Sequence, residues 1–198
     1  MEQLPRFIKP MHPKSEVSPE EGAIKKVLRA GWWGQPKIHG HRAQIHLSRD
    51  SCFVYTRKGH LHKETLTPKI ESELHRLFAP KEDWNVIDAE WLKPEQKIYV
   101  FDFLKQNGKM LHDRTFAERY ELLPKDYLSP HISTLPVFKT LERCLSYLAN
   151  PQPKRVEGLV FRSAFTKGFS NDSIVRCRSL AQATSSIDKA ISTGHDRS

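Results

Sequence analysis

Lys37 stands in the run Gln35-Pro36-Lys37-Ile38-His39-Gly40-His41-Arg42, between two strand-like pieces, with a glycine at the turn and an arginine opening the next strand. A lysine amine is a nucleophile only when deprotonated, and desolvation or nearby cations lower its pKa. Gly40 lets the backbone approach a ligand closely, and Arg42 offers a fork of donors to phosphate or ribose oxygens. On its own, K-x-x-G-x-R also describes a surface hairpin with solvated Lys and Arg. Histidines supply a second pattern. His39-x-His41 and His60-x-His62 could each place two imidazoles on one strand face. Without Cys pairs or an H-E-x-x-H helix, surface or phosphate-facing histidine is the expected role rather than structural zinc.

The elements that must position these residues follow from patterning. The first fifteen or so residues mix Pro, Lys and His and read as an extended arm. Ser18-Pro19-Glu20-Glu21 has the form of a helix start, with a hydroxyl cap and Pro at the first helical position, and the helix should stop at Gly31. Trp32 and Trp33 open a segment reaching Lys37. Alternation from Arg42 to Leu47 puts Ala43, Ile45 and Leu47 on one strand face and Arg42, Gln44 and His46 on the other. CFVYTR returns as the second strand of a hairpin. Thr67-Pro68 caps a helix with Ile70, Leu74, Leu77 and Phe78 at helical spacing. WNVIDAEWL and KIYVFDFL are strands joined by KPEQ, and TFAERYELL is a helix. A strand near 133–138 and a helix from about Thr140 lead to the Pro-rich break NPQPK. VEGLVFR and SIVRCR are the last strands, and the Ser/Thr-rich end is a short helix or frayed tail. Mostly antiparallel strands with flanking helices give an α+β class.

Composition limits the function. The 198 residues carry 32 Lys+Arg against 23 Asp+Glu, a net charge of +9, with 38% hydrophobic residues, enough for a packed core. One domain is expected at this length. A positive balance of this size suits a polyanionic partner. No apolar run approaches the roughly 20 residues that cross a bilayer, and the N-terminus has no signal-peptide stretch, so neither membrane insertion nor secretion is expected. Cys52, Cys144 and Cys177 are odd in number and far apart, which argues against a disulfide framework and suits a cytoplasmic or nucleoid-associated setting.

QPKIHGHR, YTRKGH, VIDAEWL, YVFDFL, VEGLVFR and SIVRCR follow one another, each on a strand or at its end. In that order they resemble the covalent nucleotidyltransferases: ATP-dependent DNA ligases, RNA ligases and mRNA capping guanylyltransferases. The resemblance runs from about Phe7 to Arg178, and FIKPM and RTFAERYELL look like ATP-dependent DNA ligases. It implies a nucleotidyltransferase (ATP-grasp-like ligase adenylation) domain over residues 1–180 and a tail over 181–198. It also implies the chemistry. Lys37 would attack the α-phosphate of ATP to form a lysyl–AMP, AMP would pass to a 5′-phosphate, and a 3′-hydroxyl would seal the strand. By the same resemblance Gln35 would face the adenine amino group, flanked by Pro36 and Ile38. Arg42 would hold ribose or the 3′-hydroxyl end. Arg57, with Lys58, would meet nucleic acid at the terminal 5′-phosphate. Glu90 would contact ribose or a metal, and Glu157 would hold the divalent ion, Mg²⁺ or Mn²⁺. Arg176 and Arg178 would serve the phosphates. Strand alternation puts Phe101 and Phe103 on one face with Asp102 opposite, so one phenylalanine can stack on the purine; Phe101 is favoured, although a core role suits it equally.

Departures from the family pattern refine the expectation. His39 replaces the usual aspartate, and K-x-H-G is the form of an RNA-ligase branch that includes RNA-editing ligases, whereas Arg42 is kept as in DNA ligases. Arg162, Arg176 and Arg178 stand where lysines are usual, and a flat fork is no neutral substitute for a point donor. If Arg176 falls short of the α-phosphate, adenylylation should be slow and Arg176→Lys should speed it. Only about twenty residues follow Arg178, too few for a C-terminal oligonucleotide-binding (OB) barrel. The expected substrate is nicked double-stranded DNA, with RNA left open, bound weakly and with steep salt dependence by a monomer to which a separate OB-fold or clamp protein could add. The alternatives are an RNA ligase or capping-type guanylyltransferase, and a nucleic-acid-binding protein with impaired turnover.

Overall fold

The computed structural model describes residues 5–125, 129–150 and 156–178. The proposed tail and most of the Pro-rich break lie outside them. Helix α1 (Glu21–Arg29) precedes strands β1 (Trp32–Ile38), β2 (His41–Leu47) and β3 (Cys52–Tyr55). Then come α2 (Pro68–Phe78), β4 (Asn85–Leu92), β5 (Lys97–Gln106) and β6 (Lys109–Met110). Helix α3 (Phe116–Glu121), β7 (Ile132–Thr134), α4 (Leu141–Ala149), β8 (Val156–Ser163) and β9 (Ile174–Arg178) complete the order.

The strands form two sheets, β1-β8-β9 and β3-β2-β4-β5-β6, with β7 added to β5. All named pairings are antiparallel except β5 with β7, which is parallel. One local expectation needs correction. Helix α1 begins at Glu21, because Ser18 Oγ accepts from the Glu20 amide in a turn and Glu20 becomes the cap residue. Thr67, by contrast, caps α2 as read, accepting from the Ile70 amide, and the helix buries Ile70, Leu74 and Phe78. Each of these side chains contributes about 1.5–3 kcal/mol by leaving water.

The main core lies between the larger sheet and helices α2 and α3, and includes Ala43, Ile45, Leu47, Ile87, Val100 and Phe103. A second core, with Ile24, Cys144, Leu159, Phe161 and Cys177, packs α1 and α4 behind the smaller sheet. The opposite face of β2 is also buried, because the N-terminal arm crosses it. Gln44 receives the Ile8 amide (2.9 Å) and donates to the Ile8 carbonyl (2.7 Å), and Tyr55 Oη donates to the Pro5 carbonyl (3.0 Å). Under the arm, burial pushes the His46 imidazole down to about 3.

Candidate active site

The arm continues from the larger sheet to the smaller one, where Val17 N donates to the Arg176 carbonyl at 2.8 Å. Between the two sheets lies a cleft of about 540 Å³. Its floor on the smaller sheet is set by register. Lys37 pairs with Gly158 and Gly158 with Arg178, and one row further in Gln35 pairs with Val160 and Val160 with Arg176. Gly158 adopts φ 141°, a conformation that favours glycine, and leaves the space beside Lys37 free of a side chain.

Lys37 ion-pairs with Glu157, and His39 binds the other oxygen of the same carboxylate. Burial would raise the Glu157 pKa, but hydrogen bonds from Lys37 and His39 outweigh it and hold the carboxyl below its usual range. The turn after Lys37 is tight. A Cβ on Gly40 would sit 2.9 Å from the Trp91 carbonyl, and its amide donates to Glu90 at 3.1 Å. Burial raises Glu90 to about 7 despite the opposing charge of Arg42 and this amide.

Arg42 grips Asp88 with two nitrogens and donates to the Met11 carbonyl of the arm at 2.9 Å. Its guanidinium lies 5.2 Å from the Phe101 ring centre. Here a strand irregularity decides the geometry. Asp88 pairs with Asp102 but Ala89 with Val100, so Phe101 is an extra residue on β5. The bulge breaks the alternation read from sequence: Phe103 enters the main core, while Phe101 faces the cleft. The two phenylalanines therefore do not share a face.

Deeper in, Gln35 is 2% exposed and donates Nε2 to the Phe101 carbonyl at 3.5 Å, a long contact. Arg162 sits beside it, donating to Asp102 at 2.9 Å, and Arg119 holds both oxygens of that carboxylate at 2.9 and 3.1 Å. Burial alone would raise the Asp102 pKa; the charges of Arg162 and Arg119 outweigh it and lower it.

Of the residues singled out from sequence, Lys37, Gln35, Pro36, Ile38, Arg42, Arg57, Glu90, Phe101, Glu157 and Arg176 all line this cleft. Lys58 is exposed and is not part of the lining. Arg178 is also outside it, its Nε 3.7 Å from Glu16. Sequence reasoning missed His12 and Val160 in the lining and Asp88 behind Arg42. Alternation from Gly158 and from Glu90 would have pointed to Val160 and Asp88, whereas nothing in the sequence marked His12. Among the described residues no three His, Cys, Asp or Glu side chains converge on a metal position. His41 and His62 meet edge to face, with ring centres 6.5 Å apart.

This geometry has relatives among solved structures. Mycobacterial DNA ligase D complexed with ATP and MES aligns with a TM-score of 0.51 and 14% identity over 74% of this chain and 54% of that one. The ligase domain of LigD from M. tuberculosis aligns with a TM-score of 0.52 and 14% identity, over 83% of this chain and 57% of that one. A Lig E DNA ligase gives 0.52 and 14% over 85% and 68%. At such identity the likeness is one of fold, and the chain spans little more than half of the first two structures. No curated protein matches the sequence. A family model described as RNA ligase matches residues 30–177, most of the chain and every strand that builds the cleft except the last residue of β9. The chain thus belongs to the RNA ligase family and has the α+β fold of ligase nucleotidyltransferase domains.

Proposed function

We propose that the chain is the catalytic core of an ATP-dependent polynucleotide ligase acting on nicked duplex DNA. The observation that carries this reading is Lys37 at the floor of a cleft between a buried amide, Gln35, and a cleft-facing aromatic, Phe101, with Arg176 one row away. In this reading the purine stacks on Phe101 and the Gln35 carbonyl oxygen accepts from its amino group. Lys37 Nζ gives up its proton and bonds to the α-phosphorus as the bond to pyrophosphate breaks. The resulting AMP is transferred to a 5′-phosphate near Arg57, and attack by a 3′-hydroxyl then releases it. Arg42, locked by Asp88, keeps a fixed orientation toward the sugar. The ATP-complexed ligase D of the same fold supports ATP as the nucleotide.

Glu157 and Glu90 both line the cleft and would hold Mg²⁺ or Mn²⁺ together with substrate phosphates, as one or two carboxylates do where phosphates complete the coordination. Such an ion would neutralise phosphate charge and favour the uncharged lysine. A second reading, an RNA ligase, is favoured by His39 and by the family match.

The decisive experiment incubates the protein with labelled ATP or GTP and Mg²⁺ or Mn²⁺, then locates any adduct by denaturing electrophoresis and mass spectrometry. An AMP adduct on Lys37, lost in Lys37→Ala, is expected; no adduct with either nucleotide overturns the enzymatic reading. Matched nicked DNA and nicked RNA then separate the two substrates. Sealing of pre-adenylated ends by Lys37→Ala would isolate the last step from the first.

A further inference from the structure

The arm makes a short parallel bridge at the edge of β9, Glu16 beside Arg176, with Val17 N on the Arg176 carbonyl and Arg176 N on the Ser15 carbonyl at 3.2 Å. This backbone anchorage fixes where the Glu16 carboxylate can reach. Arg176 donates its Nε–H to Glu16 Oε2 at 2.9 Å, and the other oxygen is the one 3.7 Å from Arg178 Nε. Among the described residues, the side chain of Arg176 is engaged through its Nε edge. No hydrogen bond from its two terminal nitrogens falls on a described residue, although the side chain lines the cleft in the row of Gln35 and Val160.

We propose that Glu16 is a positioning residue: it grips the Arg176 guanidinium by its Nε edge and thereby presents the terminal N–H groups to the phosphates of a bound nucleotide. This rests on the nucleotide-binding reading of the cleft. A guanidinium is a rigid fork that can serve two anions at once, whereas lysine has a single compact ammonium. With Glu16 in place, a lysine at position 176 would be drawn to the arm and away from the cleft. Arginine at this position is therefore matched to the arm's carboxylate, and Arg176→Lys should harm nucleotide binding when Glu16 is present, the reverse of what the strand sequence alone suggests.

Binding is read by calorimetry on Lys37→Ala protein, with ATP and inorganic tripolyphosphate as separate probes and no divalent ion. Single-turnover adduct formation is followed in protein that keeps Lys37. Glu16→Ala should weaken both probes about 3- to 10-fold, the scale of losing the pre-ordering of one long side chain, and raise KM for ATP alike while the saturating rate is retained. Glu16→Gln keeps the backbone bridge and the side-chain shape, so a partial loss at unchanged melting temperature excludes simple detachment of the arm. Arg176→Lys should weaken binding in the parent but not in the Glu16→Ala background. An equal effect of Arg176→Lys in both backgrounds, or probe binding indifferent to Glu16, overturns the proposal and leaves the ligase reading intact. Probe binding that follows Glu16 without any adduct supports the proposal and overturns the covalent chemistry. Failure of the parent to bind either probe overturns both.

Discussion

Glu90 shows what the site costs the fold. Its carboxyl is raised to about 7 from an ordinary 4.5, chiefly by burial, so the folded protein binds this proton more tightly than the unfolded chain does. Stability from this group is therefore full below pH 4.5 and is lost as pH rises through about 7. Glu90→Gln keeps an oxygen for the Gly40 amide and removes the charge. It should stabilise the protein by about 1–2 kcal/mol at pH 8 and by less at pH 5, as measured by urea unfolding. Stabilisation on removal of Glu90 would support the role in the cleft proposed for it; destabilisation at pH 8 would count against it. Phe101 makes the complementary case. The bulge keeps it out of the main core and half-buried against Ile38 and Leu135, a contact that leucine can partly replace. Phe101→Leu should therefore change the melting temperature little, while ATP affinity should fall by about 1–3 kcal/mol, the worth of one stacked base. A large loss of stability with unchanged affinity would return Phe101 to the core.

At the scale of elements, β5 is both the scaffold and the source of what the sequence concealed. Its bulge turns Phe101 and Asp102 toward the same side of the sheet, and Asp102 then gathers Arg119 from α3 and Arg162 from β8. All three are buried, so two guanidinium charges share one carboxylate and the cluster keeps a net positive charge. Asp102→Asn strands two guanidinium groups away from water and should cost about 3–5 kcal/mol in denaturant unfolding. The lysine segment, β1 and β2 were legible because their residues are contiguous and alternate. The bulge was not, since it arises from a mismatch in pairing between β4 and β5 that neither strand displays alone. The Asp102 cluster was not legible either, because its members lie 17 and 60 residues from the aspartate and meet only in three dimensions. The arm explains the third gap. Alternation puts Gln44 and His46 on the polar face of β2 but does not show what covers it, and residues 5–8 lie over that row and bury it.

At the scale of the whole molecule, the arm ties the larger sheet to the smaller one across one end of the cleft, touching Gln44, Arg42 and Arg176 in turn. The chain carries a net charge of +9, and the site's own carboxylates are mostly engaged: Asp88 by Arg42, Asp102 by two arginines, Glu157 by Lys37. Arg57, exposed in the cleft lining, offers a cation to an approaching polyanion. Duplex binding should therefore be driven by counterion release, with log K falling by about 0.9 per phosphate neutralised for each tenfold rise in salt. If about four phosphates are engaged, affinity for a nicked duplex should drop roughly 10²-fold between 50 and 200 mM NaCl. Arg57 lines the mouth on the loop after β3, and Arg57→Ala should reduce that slope by about 1 without altering preference among base sequences. Fluorescence anisotropy across a salt series checks both values. A slope near zero would show that the positive charge is scattered over the surface instead of being focused at the cleft, and an unchanged slope in Arg57→Ala would move the phosphate path away from that loop.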